Sequence, residues 1–303
     1  MDQAPQNEPE DSSDHRALLT RRKWIKRVAG SVTVGAVGGG LYSWRIEPHW
    51  VEVVERSLAI KNLPSSLEGR TLVQISDIHI GEAVDDAFLI DWFKRVAAWV
   101  PDIVVFTGDF LTLKHDKSLP IDQMKSVLSH FPRGKLATIG ILGNHDYGVR
   151  WKDVQAADVV TGIAEDAGLD MVRNGMQNVD GLQVVGFDDY LSPNFGGAKV
   201  LKNIDLTPPT LVLCHNPDVV DLPIWSGYRG WILSGHTHGG QCKVPFFTPP
   251  LLPIHNTRYA AGEIPLSDGR RLYVNRALGH SMRVRFNVRP EVTIFHLTGD
   301  RST

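Results

Sequence analysis

The feature that most constrains this chain is a recurrence. Short, uncharged runs of branched and aromatic residues each close on Gly, Asp, Asn or His. Thr71–Ile75 runs into Ser76-Asp77-Ile78-His79, and residues 103–106 run into Thr107-Gly108-Asp109. Residues 136–142 lead to Gly143-Asn144-His145-Asp146, and residues 211–214 to His215-Asn216-Pro217. Residues 231–233 lead through Ser234 into Gly235-His236-Thr237-His238-Gly239-Gly240. A short apolar run without alternation is the pattern of a strand buried on both faces. Between the runs lie segments of helical spacing: residues 85–100, with Asp85 or Asp86 as N-cap and Pro101 as the stop, then 120–131 and 151–168. Residues 50–55 partly alternate and read as a first strand, and 184–187 as a further one ending at Asp188-Asp189. Strands alternating with helices predict an α/β fold.

In such sheets, ligands collect at the carboxyl ends of strands. Asp77 and His79, two positions apart in an extended segment, share a face. His236 and His238 stand between glycines, which let a ligand approach closely. Imidazole is a ligand for zinc, iron and manganese. Any one of these groups alone also reads as a turn or a satisfied core residue. Strand ends carrying Asp77, His79, Asp109, Asn144, His215, His236 and His238 together predict one metal site. Asp188 and Asp189 read as a turn, and His115, His130, His255, His280 and His296 as surface or packing residues. Cys214 and Cys242 make no disulfide framework and read as small packing residues.

In their order, Asp77-x-His79, Gly108-Asp109, Gly143-Asn144-His145-Asp146, His215 and Gly235-His236-Thr237-His238 resemble the blocks of the calcineurin-like metallophosphoesterases. The resemblance spans about residues 70–240. The tail, residues 272–297, resembles a bacterial exported or membrane-associated branch that includes phosphodiesterases and UDP-2,3-diacylglucosamine pyrophosphatase-like enzymes. The resemblance implies a four-layer αββα sandwich, two mixed β-sheets flanked by helices. It also implies two divalent or trivalent metal ions, of manganese, iron or zinc. Asp77, His79 and His238 would hold the first, Asn144, His215 and His236 the second, and Asp109 would bridge them. His145 would stand beside the leaving group as general acid or positive stabiliser. Asp146 stands where many relatives carry glutamate, which leaves its bearing on His145 open. The implied activity is hydrolysis of a phosphodiester or pyrophosphate by a hydroxide held between the metals. Two rivals are a UDP-2,3-diacylglucosamine pyrophosphatase-like enzyme of lipid A synthesis and a metal-bound scaffold without turnover. No P-loop lysine motif is present, so nucleotide-driven transfer to an acceptor is not expected.

The first 49 residues are of another kind. Residues 1–14 are polar and acidic, and are expected to lack fixed structure. Thr20-Arg21-Arg22-Lys23-Trp24-Ile25-Lys26-Arg27 precedes residues 28–44, which carry no charge and five glycines. The paired arginines resemble a twin-arginine signal. The expected partner is the twin-arginine export machinery, with the product periplasmic, extracytoplasmic or anchored by membrane contact through 28–44. Seventeen residues rich in glycine are short for a span. Residues 50–303 are expected to form the catalytic domain. A formal net charge of −2 supplies no polycation for nucleic acid, and no such partner is expected. The substrate is expected to be a phosphoester small molecule or lipid. Arg276, Arg283 and Arg285 are candidates to meet its phosphates, or else form a solvated face. Residues 244–253, with four prolines and two phenylalanines, are expected to wall the site or cover a sheet edge.

Overall fold

The computed structural model describes residues 12–81, 83–112 and 119–300. Internal contacts divide the chain into two compact units, Met1–Ser43 and Trp44–Thr303. The first unit is helix α1 (Ser12–Leu41), which carries Arg21, Arg22 and the glycine-rich stretch. Most of the acidic start, residues 1–11, lies outside the described residues, while 12–14 are already helical rather than unstructured as expected. Among the described residues, no helix is long and apolar enough to cross a membrane.

The second unit holds two six-stranded sheets. In the first, β1 (Glu52–Ile60) pairs in parallel with the C-terminal strand of residues Glu291–Gly299, which lies antiparallel to β2 (Thr71–Ile75). The sheet continues in parallel through β3 (Ile103–Thr107), β4 (Ala137–Ile141) and the two-residue β5 (Asp170–Met171). The second sheet runs antiparallel from β6 (Gly175–Val179) to β7 (Leu182–Gly186), then in parallel to β8 (Thr210–Leu213) and β9 (Trp231–Ser234). Beyond β9 come β10 (Gly262–Pro265) and β11 (Arg271–Val274). β11 is parallel to β9 and antiparallel to β10, which forms the edge. The C-terminal strand Glu291–Gly299 is therefore β12.

The uninterrupted apolar runs are explained by burial on both faces. In β3, Ile103 and Val105 join Leu72, Ile139, Leu211, Leu233 and Phe295 in a core between the two sheets. Val104 and Phe106 point the other way, into a second core with α2 (Asp86–Ala98), α3 (Ile121–Leu128) and α4 (Val154–Asp166). On the far face of the second sheet, Val212, Ile232 and Leu272 pack against Val200 and Leu201 of α5 (Gly197–Asn203) and against Trp225. The result is the expected order of helix, sheet, sheet, helix. Asp85 caps α2 by accepting from Ala87 N, and Asp153 caps α4 by accepting from Ala156 N. The parallel strands β2, β3 and β4 of one sheet and β8 and β9 of the other deliver the loops that carry the ligand-type residues.

Candidate metal centre

The loops after these five strands converge. Asp77, His79, Asp109, Asn144, His215, His236 and His238 are all buried. The structure brings them into two groups able to hold a metal ion, Asp77 with His79 and His238, and Asp109 with His215 and His236; within each, the ligand atoms lie within 4.8 Å of one another. Asp109 stands between the groups. Its Oδ2 lies 3.1 Å from His215 Nε2 and 3.7 Å from His79 Nε2. His238 Nε2 lies 2.9 Å from His79 Nε2 and 3.2 Å from Asp77 Oδ1.

The remaining ring atoms fix how each imidazole faces inward. His215 Nδ1 lies 2.7 Å from the Thr107 carbonyl, a contact that requires Nδ1–H and turns Nε2 inward toward Asp109. His236 Nε2 lies 3.0 Å from the Pro253 carbonyl, which leaves Nδ1 free to ligate. His79 Nδ1 pairs with Thr112 Oγ1. Such outer contacts are how metal-bound histidines are held in tautomer and orientation. Several polar atoms at the centre have no hydrogen-bond partner: both Oδ1 and Nδ2 of Asn144, and Nδ1 of His238. Burying such atoms unsatisfied is costly unless something else engages them, and a cation fits this set of carboxylate, amide and imidazole donors.

The charges oppose one another strongly. Burial alone would raise the Asp77 carboxyl, but His215 and His238 outweigh it and hold its pKa at about 2. Asp109 is likewise held well below the usual carboxylate range, its burial overcome by His215 and His145. Burial and His238 push His79 well below the usual imidazole range, and burial with His215 pushes His236 down to about 4. Burial also disfavours charge on His215, but Asp109 and Asp77 raise it well above its ordinary value. Two carboxylates packed among imidazoles thus create a strong demand for positive charge at the centre.

The backbone there is held away from ordinary conformations. Asp77, His79, Asp109, His236 and His238 all have φ between 49° and 70°. Side chains other than glycine rarely adopt this left-handed region, so the surrounding structure must enforce it. A β-carbon at Gly143 would strike Asp109 Oδ1, and one at Gly235 would strike Ser76 Oγ and Asp77 Oδ2. The two glycines are what let these carboxylates lie against the neighbouring loops.

Asp146 performs a task that its place in the sequence did not disclose. Its Oδ2 accepts from Asp109 N (3.0 Å) and Gly143 N (2.8 Å), and its Oδ1 from Phe110 N (2.8 Å) and Leu111 N (3.3 Å). It therefore ties the loop after β3 to the loop after β4. Burial and the neighbouring Asp109 carboxylate raise its pKa, while the N–H donors work in the opposite direction. His145 is half-buried. Its backbone N donates to Asp109 Oδ1 at 2.9 Å, and its ring packs edge-on to His79 with centroids 5.2 Å apart.

The other candidates fall outside the centre. Arg285 is fully buried and donates to the carbonyls of Val288, Arg276, Ala277 and Gly279, so it is not the phosphate contact considered from the sequence. The loop it grips donates from Leu278 N and Gly279 N to the carbonyls of Ser76 and Asp77. Arg276 pairs with Glu291 and Glu52, while Arg283 is exposed and donates to the Ala83 carbonyl. Asp188 pairs with Arg173. Asp189 is more than a turn residue: it is buried with Oδ2 unpartnered, and burial, opposed by His215, lifts its pKa to about 6. His130, His255 and His296 are exposed, His280 is packed, and His115 lies outside the described residues. Both cysteines are free. The 244–253 segment touches the centre through the Pro253 carbonyl on His236, while Pro249 lies where a β-carbon on Gly240 would be. Val244, Phe246, Phe247 and Leu251 face solvent, so it is not an apolar wall turned inward.

A family model described as calcineurin-like phosphoesterase matches residues 70–240. The chain is 31% identical over 300 residues to an uncharacterized metallophosphoesterase, YkuE, of Bacillus subtilis (strain 168), covering 92% of this chain and 98% of that protein. It is 27% identical over 287 residues to phosphodiesterase YaeI of Escherichia coli (strain K12), covering 92% and 100%. Over 305 residues it is 26% identical to UDP-2,3-diacylglucosamine pyrophosphatase LpxG of Chlamydia muridarum (strain MoPn / Nigg), covering 84% and 91%.

Proposed function

The chain belongs to the calcineurin-like phosphoesterases, a family of metal-dependent hydrolases, and on that premise we propose that it cleaves a phosphodiester or pyrophosphate bond at the centre described above. The observation that carries this reading is Asp109, whose Oδ2 faces a histidine of each group. Asp77, His79 and His238 would hold one ion, and Asn144, His215 and His236 a second, with Asp109 shared. The donor set suits manganese, iron or zinc. Bound there, the pair of ions would supply a nucleophile near neutral pH and neutralise charge on the phosphoryl oxygens. His145 would serve the leaving oxygen, as proton donor or as the positive partner of its developing charge. Its backbone is tied to Asp109 Oδ1, so the carboxylate that joins the two groups also sets its position.

Relatives named as a phosphodiesterase and as a UDP-2,3-diacylglucosamine pyrophosphatase support a diester or pyrophosphate substrate over a simple monoester. The test is hydrolysis by the full chain with added manganese. The panel is a chromogenic diester, a phosphomonoester and a UDP-linked diacyl sugar, with Asp109→Ala as control. Metal-dependent turnover of the diester, absent from the control, is the expected result. Preference for the acyl sugar would favour the pyrophosphatase reading. Two ions bound per chain with no turnover on any compound would overturn hydrolysis in favour of a scaffold.

For residues 20–44 we propose an export leader of twin-arginine type, supported by Arg21-Arg22 and the uncharged stretch that follows. Changing Arg21 and Arg22 to Lys in a fusion of residues 1–49 to a reporter should abolish export. Unchanged export would refute the assignment.

A further inference from the structure

The residues that follow the metal loop form an exposed apolar ridge. Phe246 is fully exposed and Phe247 is 68% exposed, with Val244 and Leu251 beside them in the same loop. A second segment runs alongside. Lys243 N donates to Phe286 O, Phe286 N donates to Gln241 O, and Gln241 Nε2 reaches Met282 O. This sets the segment of Met282, Val284 and Phe286, whose side chains are all exposed, beside the start of the first. Large apolar side chains standing together in water mark a binding surface more often than chance exposure.

The charge around the ridge indicates what covers it. The charged residues of 241–262 and 276–290 are all basic. Arg285 is buried and Arg276 is paired with Glu291 and Glu52, which leaves Lys243, Arg258 and Arg283 exposed. Lys243 precedes Phe246 by three positions, Arg283 stands between Met282 and Val284, and both are exposed. Cations interleaved with exposed Phe and Met match an anionic lipid surface, which takes apolar side chains into its acyl boundary and basic ones at its headgroups. A second copy of the chain docked on this face would set cations against cations. The ridge is also continuous with the catalytic centre, through the Pro253 carbonyl on His236.

We propose that the ridge of residues 243–251 and 282–286 docks on an anionic lipid bilayer and so sets the metal centre at the membrane surface, facing phosphoesters carried by lipids. Docking stands on the ridge alone, and only the lipid-borne substrate class rests on the hydrolase reading above. The test is co-sedimentation of the full chain with vesicles of phosphatidylcholine, with and without phosphatidylglycerol. The parent should bind the anionic vesicles, and Phe246→Ser with Phe247→Ser should weaken partitioning at least ~tenfold. Lys243→Glu with Arg283→Glu should remove the preference for phosphatidylglycerol. In a Phe246→Trp variant, brominated acyl chains should quench the added fluorescence, which separates insertion of the ridge from binding by the basic residues 20–27. The serine variant should hydrolyse a soluble chromogenic diester as the parent does, because neither phenylalanine belongs to the metal centre. Binding by the serine variant equal to the parent would overturn the proposal. So would a dimer that the serine substitutions disperse with no vesicle binding by the parent, since a second copy would then occupy the ridge.

Discussion

Asp146→Asn isolates the tie between the β3 and β4 loops. The carboxylate accepts from two N–H groups at each oxygen. An amide retains one acceptor oxygen and turns its NH2 toward the other pair. The less costly orientation gives up Phe110 N and Leu111 N, because the contact to Leu111 is the longer at 3.3 Å. Each buried N–H left without an acceptor costs about 1–3 kcal/mol. Removing a negative charge from beside Asp109 offsets part of this, so the net loss should be about 2–4 kcal/mol. For a domain of this size that lowers the melting temperature by roughly 4–16 °C. The assay is urea unfolding of the metal-free protein at pH 7, followed by circular dichroism. Manganese affinity, measured by calorimetry, should fall at least ~tenfold, since Asp109 and Asn144 ride on the loops being untied. An Asn variant within about 0.5 kcal/mol of the parent would refute the reasoning. It would mean that the buried carboxyl is already neutral and that an amide replaces it without loss.

Gly235→Ala places a methyl group against Ser76 Oγ and Asp77 Oδ2, so bound metal measured by emission spectroscopy should fall by at least one ion per chain; full occupancy would contradict the close-approach argument. Leu233→Ala opens a cavity between the sheets and should cost about 3–4 kcal/mol in urea unfolding, with a loss under about 1 kcal/mol counting against the packing described. His280 is buried with Nε2 at 2.9 Å from the Ala83 carbonyl, and burial, with Arg285 nearby, pushes its pKa from 6.5 down to about 4. The unfolded chain therefore binds a proton near pH 6.5 that the folded chain refuses until about 4. Stability should fall as pH drops through that window, by up to about 3 kcal/mol from this residue. His280→Gln should flatten this part of the pH profile, and an unchanged profile would show that the proton is taken up elsewhere.

The strands that build the site were legible because they are buried on both faces. Residues 103–106 and 231–233 read as strands with no alternation, since Val104 meets helices while Ile103 meets the other sheet. The edges were not legible. β6 is the polar run Gly175–Val179, half-exposed, and β10 ends on a proline, so neither carries the apolar signal of a central strand. The first strand extends to Ile60 rather than stopping at residue 55, because β12, far along the chain, supplies a partner over its whole length. The short helix α5 has glycine before and at its start and gave no periodic pattern.

The sequence by itself determined the inventory of the site: which side chains stand at strand ends, the types of donor they offer, and the glycines beside them. These are local properties, set by residue type and by position relative to a buried run. Only the tertiary structure decided how that inventory is arranged. It set Asp109 between two groups and made Asp146 a strap across two loops. It withdrew Arg285 into the interior and turned Phe246 and Phe247 outward. Each of these depends on which distant segments pack together. Asp146 meets Phe110 across 36 positions and His236 meets Asp77 across 159. Contacts at such separations arise from the pairing of sheets, and no local pattern of residues records them.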